Sequence, residues 1–156
     1  YPYVVMQGNH DCLGTGNEVF RKMFGNNDYS FIAGRIKFLM INTNAIEYDY
    51  SEPVPDFDFL ETEVKKDSAL FDRTIVCMHA APYSEQFNNN VAKPFNHYMQ
   101  FYPGLMFCLY GHGHHTEEHD IFENGTIYYE VASVEKREYR IFTITPKGYS
   151  NEVISF

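Results

Sequence analysis

The stretch Arg73-Thr74-Ile75-Val76-Cys77-Met78-His79 carries the clearest indication of the fold class. An apolar, β-branched run leads directly into a histidine. Such a run, without alternation of polar residues, is typical of a strand covered on both faces, as in the parallel sheets of α/β proteins. Ligand sites in these proteins favour the carboxyl ends of the strands. The stretch therefore predicts an α/β sheet with His79 at a candidate binding edge.

Two further motifs follow apolar runs in the same way. Residues 105–110 form a second buried-type run, which leads into Gly111-His112-Gly113-His114. The residues 1–6 read as an opening strand, which leads into Gly8-Asn9-His10-Asp11. Because strand ends of this kind gather at one rim of a sheet, we expect the motifs to lie close together. The side chains expected at that rim are Asn9, His10, Asp11, His79, His112 and His114.

The remaining pattern predicts one α/β domain over residues 1–156. The predicted helices are one ending at Gly25, one beginning at Pro55 and Asp56, and a short one beginning near Pro94. The other predicted strands are an antiparallel pair over residues 29–33 and 36–41, and a C-terminal β-meander over residues 126–131, 139–145 and a last strand to Phe156. We therefore expect an α/β sandwich of mixed sheets with flanking helices and a C-terminal β-meander.

Composition excludes several classes of protein. The 156 residues are 44% hydrophobic and carry 12 Lys and Arg against 21 Asp and Glu, for a net charge of −9. This charge argues against bulk nucleic-acid binding. No apolar run approaches the roughly 20 residues of a membrane span, and no signal peptide is recognisable, so we expect a soluble chain in an unassigned compartment. Three cysteines do not make a disulfide framework.

The residue types at the predicted rim indicate metal chemistry. Imidazole binds zinc, iron and manganese, and the amide oxygen of Asn9 is a hard, neutral ligand. Glycines at positions 8, 111 and 113 allow close backbone approach and unusual dihedral angles. By contrast, His115 and His119 follow the last motif beside Glu117 and Glu118, and we interpret them as a solvated face. His97 is interpreted as a surface or packing residue.

The three motifs resemble those of the calcineurin-like metallophosphoesterases. That family carries Gly-Asn-His-Asp/Glu, then a lone histidine after a hydrophobic strand, then Gly-His-x-His. The corresponding residues here are Gly8-Asn9-His10-Asp11, His79 and Gly111-His112-Gly113-His114, in that order. The resemblance implies a metallophosphoesterase-type α/β sandwich.

The resemblance also implies roles for individual residues. Asn9, His79 and His112 would bind one metal ion, and His114 the other. His10 would contact the substrate phosphate and protonate the leaving oxygen, with Asp11 orienting His10. Two divalent ions, of manganese, zinc or iron, held about 3.5 Å apart, would clamp phosphate oxygens and lower the pKa of a bridging water, which as hydroxide attacks phosphorus. The implied reaction is hydrolysis of a phosphomonoester or phosphodiester.

Two motifs of the family, Asp-x-His and Gly-Asp-x-x-Asp, do not precede the first motif here. We therefore expect the chain to be the C-terminal portion of a single metallophosphoesterase domain, without the part that carries those carboxylates. Only neutral ligands remain, so we expect this chain to be weak or inactive alone. An apolar opening strand without neighbours would expose a sheet edge, and we expect self-association there.

Two other interpretations are kept beside the hydrolase. The domain could be a non-catalytic scaffold that uses the phosphoesterase fold for binding, although His10 beside Asn9 has no role in a scaffold. It could also be an isolated structural product without activity. Metal titration separates these three interpretations.

Overall fold

The structure is a computed structural model that describes residues 2–48 and 51–156. The helices are α1 (Gly16–Phe24), α2 (Phe57–Lys65) and α3 (Ala92–Met99). The strands are β1 (Tyr29–Ala33), β2 (Ile36–Ile41), β3 (Arg73–Met78), β4 (Leu105–Tyr110), β5 (Glu118–His119), β6 (Tyr128–Glu130), β7 (Glu138–Thr145) and β8 (Gly148–Ser155). These elements confirm the general α/β class. In the described part of the chain, no helix has the length and apolar character needed to cross a bilayer.

The main sheet has the strand order β1-β2-β3-β4-β6-β5. Strand β3 pairs in parallel with β2 and with β4, and β4 pairs in parallel with β6. The outer strands β1 and β5 are antiparallel to their neighbours. The parallel strands therefore bring their carboxyl ends to one edge of the sheet, as the sequence predicted.

Both faces of the sheet are covered, which explains the unbroken apolar runs. On one face Val76 and Met78 of β3 pack with residues of α2 and α3, including Leu60 and Phe95. On the other face the core contains Ile75, Cys77, Phe107 and Tyr129, against which Phe142 and Tyr149 of the β7–β8 hairpin pack. Successive residues of one strand thus enter two different cores.

The predicted opening strand is wrong over residues 2–6, and Tyr1 lies outside the described residues. Residues 2–7 adopt no regular secondary structure, and Tyr3 is 81% exposed. The segment is held instead by side chains, since the Tyr29 hydroxyl donates to the Val5 carbonyl and Asn44 donates to the Gln7 carbonyl. The predicted self-association therefore has no edge strand at residues 2–6 through which to act.

The predicted C-terminal β-meander is also wrong in its first strand. Strand β6 joins the main sheet beside β4, and only β7 and β8 pair as a hairpin. All three residues of β6 are buried, whereas residues of β7 alternate between half-buried and exposed. A strand buried on both faces belongs inside the sheet rather than in a half-solvated hairpin.

A buried ion pair joins α2 to β2. Lys37 and Glu63 are 0% and 3% exposed, and the Lys37 ammonium lies 2.7 Å from the Glu63 carboxylate. Lys37 Nζ also donates to the carbonyls of Glu63 and Lys66, and the Ser30 hydroxyl donates to Glu63. Charged side chains are rarely buried unless they are paired, and Lys37 supplies the partner of Glu63.

Replacing Glu63 with alanine leaves the buried Lys37 ammonium without its counter-charge. We expect Glu63→Ala to lower the free energy of unfolding by roughly 3–5 kcal/mol. Glu61→Ala is the matched control on the same helix, because it removes an exposed ion pair with Lys65 and should change stability by less than about 1 kcal/mol. Urea unfolding followed by circular dichroism measures both, and equal losses would contradict the account.

Candidate metal centre

Backbone hydrogen bonds fix the two histidine loops beside each other. The amides of Gly111 and His112 both donate to the carbonyl of His79, at 3.1 and 3.0 Å. These bonds continue the parallel hydrogen-bonding pattern of β3 and β4 by one residue beyond the carboxyl ends of the two strands. Asn9 reaches the same place from a short 3-10 helix, Asn9–Cys12. Three separate segments thus meet at one edge of the sheet.

The side chains of Asn9, His79 and His112, here called the Asn9 triad, are in direct contact. Asn9 Oδ1 lies 2.9 Å from His79 Nε2, which lies 3.2 Å from His112 Nδ1. Two neighbouring ligand atoms bound to one ion at about 2.0–2.2 Å are roughly 2.8–3.6 Å apart in octahedral or tetrahedral geometry. The separations of 2.9 and 3.2 Å therefore fit ligands of a single divalent cation.

His112 is oriented by an acidic side chain that the sequence analysis missed. Its Nε2 lies 3.0 Å from Glu85 Oε1, and this hydrogen bond holds the pKa of Glu85 below its ordinary value. With the proton on Nε2, the lone pair on His112 Nδ1 faces the triad. A carboxylate that receives the second N–H of a histidine ligand is a common support of metal sites. Glu85 lies in the polar loop between β3 and α3, and no sequence motif marks it as a functional residue.

The His79 imidazole is held in its neutral form. Burial, together with the nearby His112, His114 and His10 and against an opposing effect of Asp11, lowers the pKa of His79 to about 4. The neutral imidazole is the form that binds metals. At neutral pH His79 and Asn9 therefore offer uncharged donors to a cation.

His10 and Asp11 are exposed and lie on the turn that carries Asn9. The Asp11 carboxylate accepts a hydrogen bond from the Gly8 amide at 2.9 Å. Among the described side chains it makes no hydrogen bond with His10, which the family resemblance had implied it would orient. Both residues act on the pKa of His79, so they lie within electrostatic range of the triad.

His114 lies beside the triad without a hydrogen bond to it among the described residues. It is exposed and has a φ of 61°, in the left-handed region, which is uncommon for a residue other than glycine. Its amide donates to the Gly111 carbonyl at 3.3 Å. The loop is thus tightly wound, and its strained residue is one of the predicted metal ligands.

The glycines of the motifs permit close approach, but not through unusual dihedral angles. A Cβ at Gly8 would lie 3.2 Å from His79 Cε1, and a Cβ at Gly113 would lie 2.3 Å from Glu130 Oε1. A Cβ at Gly111 would meet only the Val131 carbonyl, at 3.5 Å. None of the three has a positive φ. The prediction of close approach is confirmed at Gly8 and Gly113, and the prediction of unusual dihedrals is wrong.

A cavity of about 820 Å³ opens beside the triad. His112 and Gly113 line one part of it, and Tyr83, Glu85 and Glu130 line others. The volume lies within the range of small-molecule sites. The cavity offers room for an organic group next to the candidate metal ligands.

Gly113→Ala tests the packing of the histidine loop on Glu130. Glu130 is 5% exposed and accepts the His115 amide at 3.2 Å, so its carboxylate has little room to move. We expect Gly113→Ala to destabilise the protein by roughly 1–3 kcal/mol. Gly111→Ala is the matched control and should cost less than about 1 kcal/mol. Thermal unfolding of both variants measures this, and an unchanged Gly113→Ala protein would contradict the close contact.

The low pKa of His79 predicts a pH dependence of stability in metal-free protein. Its folded pKa of about 4 lies below the ordinary 6.5, so between these values the unfolded chain binds the extra proton. The contribution of neutral His79 is therefore complete above pH about 6.5 and is lost as the pH falls towards 4. Because His79 is only partly buried and solvent screens part of this effect, we expect wild type to lose about 1 kcal/mol more than His79→Gln between pH 7 and 5. Urea unfolding in a chelator measures this difference, and equal losses would contradict it.

Comparison of the sequence with protein-family models and with curated proteins finds no match. The family resemblance therefore rests on the three motifs themselves.

Proposed function

We propose that this chain carries the site of a metal-dependent phosphoester hydrolase. One observation carries the proposal: donor atoms of Asn9, His79 and His112 lie at separations expected for ligands of one ion. They come from three segments far apart in the sequence. Packing alone gives no reason to place two imidazoles and an amide oxygen together at the end of a sheet.

In this proposal the Asn9 triad holds a divalent ion, and His114 contributes to a second one as the family resemblance implies. Manganese, zinc and iron suit the nitrogen and oxygen donors. When bound, such ions polarise the phosphoryl group and activate a water molecule. Glu85 is a positioning residue, because its hydrogen bond fixes the His112 ring with one nitrogen facing the triad.

His10 is assigned to the substrate rather than to the metal. It is exposed, adjoins Asn9 in the chain and makes no side-chain hydrogen bond to another described residue. We assign it contact with the phosphate and donation of a proton to the leaving oxygen as the phosphorus–oxygen bond breaks. The oxygen of water forms the new bond to phosphorus, and its proton passes to solvent. The cavity beside His112 would receive the organic part of the ester.

The division of roles is tested by comparing His79→Ala with His10→Ala. We expect His79→Ala to lose its bound metal. In a domain that also carries the Asp-x-His and Gly-Asp-x-x-Asp motifs, His10→Ala keeps the metal and lowers turnover by roughly 10²–10⁴-fold relative to the same domain without the substitution. His97→Ala is the control, because His97 is an exposed histidine on α3 packed against Phe101. Elemental analysis after dialysis gives metal content, and a chromogenic phosphodiester with excess Mn²⁺ gives turnover.

Three outcomes separate the interpretations. Loss of metal from His10→Ala would overturn the assignment of His10 to substrate. A domain that carries all the family's motifs and binds metal through His79, but hydrolyses neither phosphomonoesters nor phosphodiesters, would favour the binding scaffold. Wild-type protein that retains no metal would contradict the proposal.

A further inference from the structure

We propose that Glu117, His119 and Glu130, here called the Glu117 cluster, form a second divalent-cation site distinct from the Asn9 triad. One donor atom from each of the three side chains lies within 4.8 Å of the others. Two carboxylates and one imidazole are a donor set typical of zinc and manganese. From sequence alone, His119 and Glu117 are interpreted only as part of a solvated face.

The pairing of β5 with β6 builds the cluster. Glu118 pairs with Tyr129 and His119 with Tyr128, so the next step in register places Glu117 opposite Glu130. The Glu130 amide donates to the Glu117 carbonyl at 2.9 Å, which confirms that step. Residues two apart on a strand share a face, and so do directly paired residues. The three side chains therefore project from the same face of a hydrogen-bonded sheet.

The burial of Glu130 gives an independent reason to expect a cation. Glu130 is 5% exposed, and its carboxylate accepts the His115 amide. Among the described residues no lysine or arginine pairs with it, and the exposed His115 ring lies 3.8 Å away. A buried carboxylate without a counter-charge is costly. A divalent ion between Glu117 and Glu130 would supply the missing positive charge.

The outer ligands leave the site open to ions from solution. His119 and Glu117 side chains are 46% and 53% exposed, and His119 Nε2 lies 2.9 Å from Glu117 Oε2. An exposed pair of this kind contributes little to stability by itself. A bound metal ion would replace the hydrogen-bonding proton between His119 Nε2 and Glu117 Oε2. Two carboxylates balance the charge of a divalent ion, which the neutral Asn9 triad does not.

The Glu117 cluster shares a cavity with the Asn9 triad. His119 and Glu130 line the same 820 Å³ space as His112. Gly113 follows His112, and a Cβ added at this glycine would lie 2.3 Å from Glu130 Oε1. A cation in the cluster would therefore add positive charge to a cavity wall that otherwise carries Glu85, Glu118 and Asp120. The metal site itself does not depend on the proposed hydrolase activity.

Cobalt titration of the metal-free, untagged protein tests the site. Co²⁺ bound by nitrogen and oxygen donors has visible absorption bands that report on its ligands, and calorimetry gives stoichiometry and affinity. We expect His119→Ala and Glu130→Gln each to weaken one class of Co²⁺ binding at least tenfold, while His79→Ala leaves that class unchanged. Glu130→Gln keeps the size of the side chain and an acceptor for the His115 amide, so it preserves the fold.

Glu118→Gln is the matched control. Glu118 lies between Glu117 and His119 on β5 and pairs with Arg140 rather than with the cluster. It should bind Co²⁺ as wild type does. The proposal is overturned if His119→Ala and Glu130→Gln bind Co²⁺ with wild-type stoichiometry and affinity. It is also overturned if His79→Ala removes all binding, because a single site at the Asn9 triad would then account for the data.

Discussion

Parallel pairing between β3 and β4 fixes both the centre of the main sheet and the two histidine loops at its edge. The His79 carbonyl accepts the amides of Gly111 and His112, so the two histidine loops are held by the same ladder that forms the core. A shift of one residue in this register would exchange the two buried faces of β3, which contact different sets of side chains. The geometry of the candidate site is therefore specified by the packing of the sheet beneath it.

The central elements could be predicted from sequence because each carries its own local signal. The bounds of β3 and β4 follow from unbroken apolar runs, and the contact of His79 with His112 follows from parallel pairing of those runs. The opening segment was misread, because an apolar and aromatic run has the same local preference whether or not a partner strand is present. Its actual contacts, such as Tyr29 with Val5, join residues distant in sequence.

The acidic residues at the site could not be found from sequence. Glu85 meets His112 across 27 positions, and Glu130 reaches Gly113 only because β6 inserts beside β4. Both depend on long-range topology, which a motif does not encode. The burial of Glu63 has the same origin, since it depends on Lys37 of a different strand.

The charges of the side chains around the candidate site determine how it would bind an anionic ester. The Asn9 triad supplies neutral donors, while the acidic side chains line the neighbouring cavity. With a net charge of −9, the chain needs cations before an anionic ester is attracted to that wall. Metal ions in the triad, and in the Glu117 cluster, would provide that charge at the place where a phosphate would bind.

The most direct test of the metal centre is anomalous diffraction at the metal absorption edge from crystals grown with Zn²⁺ or Mn²⁺. The account predicts an anomalous peak bonded to Asn9 Oδ1, His79 Nε2 and His112 Nδ1 at about 2.0–2.2 Å. A saturated crystal with no peak at these three atoms would contradict it.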